Sequence, residues 1–142
     1  MEKLSEHFTL DEMLHSNTAE KYNIDNTKIT PIILFSLKYL CKHILEPTRR
    51  AMNESIIISS GYRCVELNTK VGGATKSQHL RGEAADIYIK NVDYCNRLCN
   101  ILNKNEYVDQ LLLEHKGSKV WVHVSCSPLR TPRHNINFSY KL

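Results

Sequence analysis

Apolar and polar positions change rhythm along the chain, and the changes separate helical from extended segments. Thr9-Leu10-Asp11-Glu12 has the S/T-x-x-E form of a capping box, which predicts a short helix starting there. The polar stretch 17–28 predicts a loop. Thr30-Pro31 then reads as an N-cap followed by proline at the first helical position. Ile33, Leu34, Leu37, Leu40, Cys41, Ile44 and Leu45 recur at helical spacing, so an amphipathic helix should run on and end or bend near Pro47.

Further on the apolar runs become short and β-branched. Ser55-Ile56-Ile57-Ile58-Ser59-Ser60, closed by Gly61, predicts a buried strand. Residues 61–82 are rich in glycine and polar side chains, with a turn at Gly72-Gly73. An irregular segment of that length in a compact chain is commonly functional. Residues 84–89 predict a second strand, and Asp93 a cap for a helix carrying Cys95, Leu98, Cys99 and Leu102. Strands at 110–114 and 120–125 follow, separated by a turn at Lys116-Gly117-Ser118, and the tail from Pro128 reads as polar and irregular. Helices first and a mainly antiparallel sheet afterwards predict an α+β fold.

Strand side chains alternate faces, so each strand can be divided into two sets. Asp86 falls opposite Ile87 and Ile89, Glu114 opposite Leu111 and Leu113, and His123 opposite three valines. If these strands are neighbours, Asp86, Glu114 and His123 meet on one face. His79 lies at the end of the irregular segment, seven residues before Asp86. Two imidazoles and a carboxylate suit zinc and leave a position for water, whose proton Glu114 could take. On the residues alone the alternatives stay open: His123 as a structural histidine, Asp86 as the start of a strand, Glu114 as a solvated charge.

Composition narrows the field further. A chain of 142 residues suits one domain, 1–142, with one core. The longest apolar runs, Ile56-Ile57-Ile58 and Leu111-Leu112-Leu113, are too short to span a bilayer. The start, Met1 to His7, has no apolar h-region, so no signal peptide and synthesis in the cytoplasm are expected. The net charge of +4 is mild and forms no basic stripe, the densest cluster being Arg49-Arg50. Neither nucleic acid nor membrane is therefore an expected partner. Five cysteines, Cys41, Cys64, Cys95, Cys99 and Cys126, are an odd number without a CxxC pair. They are expected to be unpaired thiols and not metal ligands.

A longer pattern sharpens the chemistry. Ser60-Gly61-Tyr62-Arg63, Asn68, Val71-Gly72-Gly73-Ala74 and the run from Ser77 to Asp86 stand in order. The last run resembles the SxHxxGxAxD signature of the D-alanyl-D-alanine carboxypeptidase family of zinc peptidases. That family's relatives include D-Ala-D-Ala dipeptidases, phage endolysin peptidases and the Hedgehog signalling domain. Trp121-Val122-His123 looks like its second signature, and the likeness runs from about Phe8 to Ser125, closest to compact bacterial and prophage-type members.

The resemblance implies a Hedgehog/DD-peptidase-like fold, a small antiparallel sheet with helices packed on one side. It implies Zn2+ on His79, Asp86 and His123, with Arg63 engaging substrate. Ser77 would contact substrate or orient its loop, and Gln78 would support substrate binding. Where several relatives carry an acid two or three residues before the last histidine, this chain has Val120 and Trp121. Glu114, on the preceding strand, is therefore the expected base, with Glu83 and Asp109 as alternatives. The implied reaction is hydrolysis of amide bonds in peptidoglycan stem peptides near D-alanine by a monomer, as a carboxypeptidase or an endolysin-type endopeptidase. The expected settings are a phage-type lysis system that releases the enzyme to the wall, or a cytoplasmic enzyme acting on wall fragments. The rival is a module that keeps zinc without catalysis, in wall binding or in a phage structure.

Overall fold

The capping box closes as the sequence requires. Thr9 Oγ1 accepts from Glu12 N at 3.2 Å, while the Glu12 carboxylate accepts from Thr9 N at 3.3 Å, and helix α1 (Leu10–Leu14) follows. The computed structural model describes residues 2–138. Within 17–28, where a loop is predicted, a short helix α2 (Asn17–Lys21) forms instead, capped by the Ser16 hydroxyl. Its polar sequence carries no helical stripe because only Ala19 turns inward, into a small cluster with Ile24 and Leu67.

The long amphipathic helix bends rather than ends. Helix α3 (Pro31–Leu40) passes through a wide turn at Cys41–Leu45 and continues as α4 (Glu46–Met52). Proline has no N–H to give to the carbonyl of the fourth residue before it, which for Pro47 is His43. The His43 carbonyl instead accepts from Asn105 Nδ2 at 2.9 Å, a substitute donor 62 residues away in sequence. The bend therefore leaves no strong acceptor stranded.

Four strands pair antiparallel and a fifth joins in parallel. They are β1 (Ile58–Ser60), β2 (Ala84–Tyr88), β3 (Val108–Lys116), β4 (Lys119–Cys126) and β5 (Asn135–Asn137), ordered β1-β2-β4-β3-β5. The sheet is thus mixed, because β5 runs parallel to β3. Three predicted segments differ. The stretch 55–60 is not a buried strand but a three-residue edge strand, with Ile56 in the core and Ile57 exposed. Segment 61–82 contains helix α5 (Val65–Lys70) and a 3-10 turn at Gln78–Arg81. The tail, expected to be irregular, supplies β5; polar anchoring rather than alternation holds it there, as described below.

Helix α6 (Val92–Asn103) begins at Asn91, not Asp93. Asn91 Oδ1 accepts from Tyr94 N at 2.8 Å, whereas Asp93 sits in the first turn and pairs with Arg97. Between α3, α4, α6 and the sheet lies the main core. Ala85, Ile87, Leu111, Leu113, Val122 and Val124 face it from the strands, against Leu37, Leu40, Ile44, Leu98 and Leu102. The opposite face of the sheet is left for polar side chains.

Two outcomes follow from this packing. Asn105→Ala should destabilise the protein by about 1–2 kcal/mol, since it leaves the His43 carbonyl without its donor; denaturant unfolding measures this, and no change would contradict the account of the bend. All five cysteines are free, and burial pushes the Cys41 and Cys126 thiols up and that of Cys99 up to about 12. Alkylation without reductant should be slow at Cys41 and Cys126 in the native protein and give five additions by intact mass after denaturation. A disulfide in freshly purified protein would contradict this.

Candidate metal centre

The polar face of the sheet is set by register. Asp86 on β2 lies directly opposite His123 on β4, and His123 lies opposite Leu112 on β3. Trp121 shares the face of His123 and stands opposite Glu114. The alternation read from the sequence thus places Asp86, Glu114 and His123 on one face, across three adjacent strands.

His79 reaches the same place from the 3-10 turn. The Ser77 hydroxyl caps that turn by accepting from His79 N at 3.1 Å. The turn ends at Gly82 with φ +72°, where a Cβ would come within 2.9 Å of the Ile33 carbonyl oxygen. His79 Nδ1 lies 2.6 Å from the Gly61 carbonyl oxygen, which fixes that nitrogen as the donor and turns Nε2 toward Asp86. Gly61 itself is pressed against α1: a Cβ there would lie 2.4 Å from Met13 O. Buried Asn26, which no sequence motif singles out, ties the same loop by donating to Leu14 O and Tyr62 O and accepting from Cys64 N.

Three donor atoms converge. His79 Nε2 and His123 Nδ1 lie 3.1 and 3.0 Å from one oxygen, Asp86 Oδ1, with all three side chains buried. Arg63 Nη2 binds the other oxygen, Oδ2, at 3.0 Å. Burial alone would raise the Asp86 carboxyl, but the charges and hydrogen bonds of His79 and His123 outweigh it and hold the group well below the usual carboxylate range. A tetrahedral ion with arms of about 2.1 Å has ligand-to-ligand edges of roughly 3.4 Å, close to these separations. Two nitrogens and one oxygen also form a donor set that suits a divalent transition metal. The residues fit such an ion. Among the described residues Glu6, His7 and Glu46 form a second candidate group. There Glu46 already accepts from Ser5 Oγ, His7 N and His7 Nδ1.

The triad opens into a cleft of about 760 Å³ that Arg63, Ser77, Glu114 and Trp121 also line. Glu114 Oε1 accepts from the Trp121 indole N–H at 3.0 Å and lies 3.8 Å from His123 Nδ1. The indole contact pairs residues two positions from the metal level on adjacent strands, and strand alternation could have revealed it. Arg63 gives Nε to Ser60 Oγ and Nη1 to Asn68 Oδ1, so three of its five donors are occupied by protein, and the side chain lines the cleft. Gln78 is buried in the cleft wall, and its amide nitrogen donates to Glu83, Asp109 and the Cys126 carbonyl. Glu83 and Asp109 are buried behind the wall. Glu83 accepts from Arg81, and Asp109 from Arg130 and Arg133.

Replacing His79 or His123 by alanine should abolish stoichiometric metal binding, measured by elemental analysis of the purified variants; full metal in both would remove this site from consideration. Asp109 supplies a pH test. Burial would raise its carboxyl, but hydrogen bonds from Arg133 and Arg130 hold it well below the usual range. Its contribution to stability is then complete above about pH 4 and declines as pH falls through the folded value. Wild type should lose more stability than Asp109→Asn between pH 5 and pH 3, values chosen to bracket roughly the unfolded pKa. Equal losses would contradict the assignment.

Comparison with known proteins agrees with this geometry. A model of the family Peptidase M15 matches residues 6–125. The zinc D-Ala-D-Ala carboxypeptidase of Streptomyces albus G is 38% identical over 52 residues, which cover 36% of this chain and 20% of that protein. The match thus spans about a fifth of the length of that curated relative. With the family match running from before α1 to Ser125 on β4, and both histidines and Asp86 inside it, the chain belongs to the Peptidase M15 family.

Proposed function

We propose that this protein is a zinc peptidase that hydrolyses amide bonds of peptidoglycan stem peptides near D-alanine, working as a monomeric single domain with a Hedgehog/DD-peptidase-like fold. The observation that carries the reading is one carboxylate outside the ligand set, Glu114, opening into the same cleft as His79, Asp86 and His123. Family membership supports a zinc peptidase, and the name of the carboxypeptidase relative supports a D-alanine substrate.

His79 Nε2, Asp86 Oδ1 and His123 Nδ1 would hold the zinc. Bound there, zinc supplies Lewis acidity toward the scissile carbonyl and toward water. Glu114 takes the proton of the attacking water and returns it to the leaving amine. Its Oε1 is kept on the cleft side by the Trp121 N–H, so the base need not search for its position. Arg63 has two duties. It neutralises Asp86 Oδ2, leaving Oδ1 for the ion, and its free N–H groups receive a substrate oxygen. Ser77 orients the turn that carries His79, and Gln78 holds that turn in the cleft wall through its hydrogen bonds to Asp109 and Glu83. An endolysin role and release to the wall through a lysis system belong to the same proposal. No helix among the described residues is long and apolar enough to cross a membrane.

Glu114→Gln tests the reading. It should retain zinc while turnover of defined muropeptides, followed by mass spectrometry of the products, falls on the order of a hundred- to ten-thousand-fold. Activity within a few-fold of wild type would move the base elsewhere. A zinc-loaded wild type that cleaves no muropeptide would favour the rival, a zinc-retaining module for wall binding or a phage structure. Trp121→Phe should lower kcat about tenfold with little change in KM, as loss of one hydrogen bond to a charged group implies. Equal change in KM would instead indicate a substrate contact.

A further inference from the structure

Asp109 is fully buried, yet it takes no part in the chemistry described above. Burying a carboxylate is costly unless it is paired and hydrogen-bonded. Here the partners are two arginines of the tail. Arg133 grips it with Nε at 3.1 Å, Nη2 at 2.7 Å and its backbone N–H at 2.8 Å, and Arg130 adds Nη1 at 3.2 Å. One negative charge therefore anchors two positive ones.

Both arginine side chains remain about half exposed, 46% for Arg130 and 52% for Arg133, and both line the cleft. Each guanidinium carries five N–H donors in a planar fork, so donors remain after Asp109 is served. The other cleft cations are differently placed. Arg63 is bound to Asp86 and Arg81 to Glu83, while Lys76 and Lys116 have no ion-pair partner among the described residues. Tail cations that served only to fasten β5 would need neither this surplus charge nor a position at the cleft wall.

The strand register gives the distance. Asp109 adjoins Gln110, which pairs with Asn135 of β5, whereas Leu112 stands opposite the ligand His123 and Glu114 lies beyond it. Gln110 is two residues along β3 from Leu112, roughly 7 Å at the rise of an extended strand. The arginines thus occupy the end of the cleft away from Glu114, about two residues of extended peptide from the metal level.

We infer that Arg130 and Arg133 form a carboxylate-binding subsite, which selects substrates carrying a free carboxylate about two residues from the bond cleaved. The inference rests on the peptidase reading for its peptide ligand. Two sources offer the same chemistry, a side-branch carboxylate within the peptide and the carboxylate at its C-terminus.

The test is calorimetric binding of synthetic L-Ala-γ-D-Glu-L-Lys-D-Ala-D-Ala to the zinc-loaded full chain, in a Glu114→Gln background. Four forms are compared: the free peptide, the D-Glu α-carboxamide, the C-terminal amide and the doubly amidated peptide. The free peptide should bind at least tenfold more tightly than the doubly amidated one, and the single amides identify which carboxylate is read. Arg130→Gln, which leaves the Arg133 fork on Asp109, should reduce that preference to below threefold, as should Arg133→Lys. Equal affinity for all four forms, no binding of any, or a preference undiminished in both variants overturns the subsite. Hydrolysis by wild type is followed separately by mass spectrometry. Absent cleavage with the binding preference intact contradicts the catalytic reading alone, and cleavage without preference contradicts the subsite alone.

Discussion

The registration of β2 against β4 is the constraint on which the site depends. Asp86 faces His123 only because Ile87 pairs with Val122 and Ala85 with Val124. A slip of one residue would turn every side chain of a strand to the other face, exposing valines and burying the histidine among the helices. The apolar face resists that slip. Each buried valine, leucine or isoleucine side chain contributes about 1.5–3 kcal/mol, and five from β2, β3 and β4 meet the helical layer. Packing on one face thereby positions the donors on the other.

Asp86 is the point at which separate parts of the chain meet. It draws in imidazoles from a 3-10 turn and a central strand, and a guanidinium from the loop after β1. Arg63 is in turn steadied by Asn68, whose amide donates to the Ala74 carbonyl at 2.8 Å. Glycine at position 73 leaves room for this arrangement, since a Cβ there would lie 2.1 Å from Asn68 Oδ1. The segment that looked irregular is therefore a frame around one carboxylate. A second buried carboxylate, Asp109, plays the corresponding part for the tail, fastening it beside the cleft through Arg130 and Arg133.

Period and caps made much of this legible in the sequence. The face shared by Asp86, Glu114 and His123 follows from strict alternation, and the start of α1 follows from its capping box. What escaped depends on partners distant in sequence. The choice between ending and bending at Pro47 needs Asn105, β5 needs the arginines on Asp109, and α2 needs Leu67 to help receive its one inward alanine. Asn91 and Asp93 are both good caps by type, and only the backbone shows which one meets Tyr94 N. Gln78 lies within the motif that carries the resemblance, yet its amide faces inward, because the residue beside a ligand also has to hold the turn in place.

The site proposed on the polar face of this sheet calls for one zinc ion on His79, Asp86 and His123. Anomalous diffraction from crystals of the zinc-loaded protein, recorded on both sides of the zinc edge, tests it most directly. One strong peak per chain is expected within coordinating distance of His79 Nε2, Asp86 Oδ1 and His123 Nδ1, with Glu114 in the same cleft. A sole peak at Glu6, His7 and Glu46, or one ligated by cysteine, would contradict it.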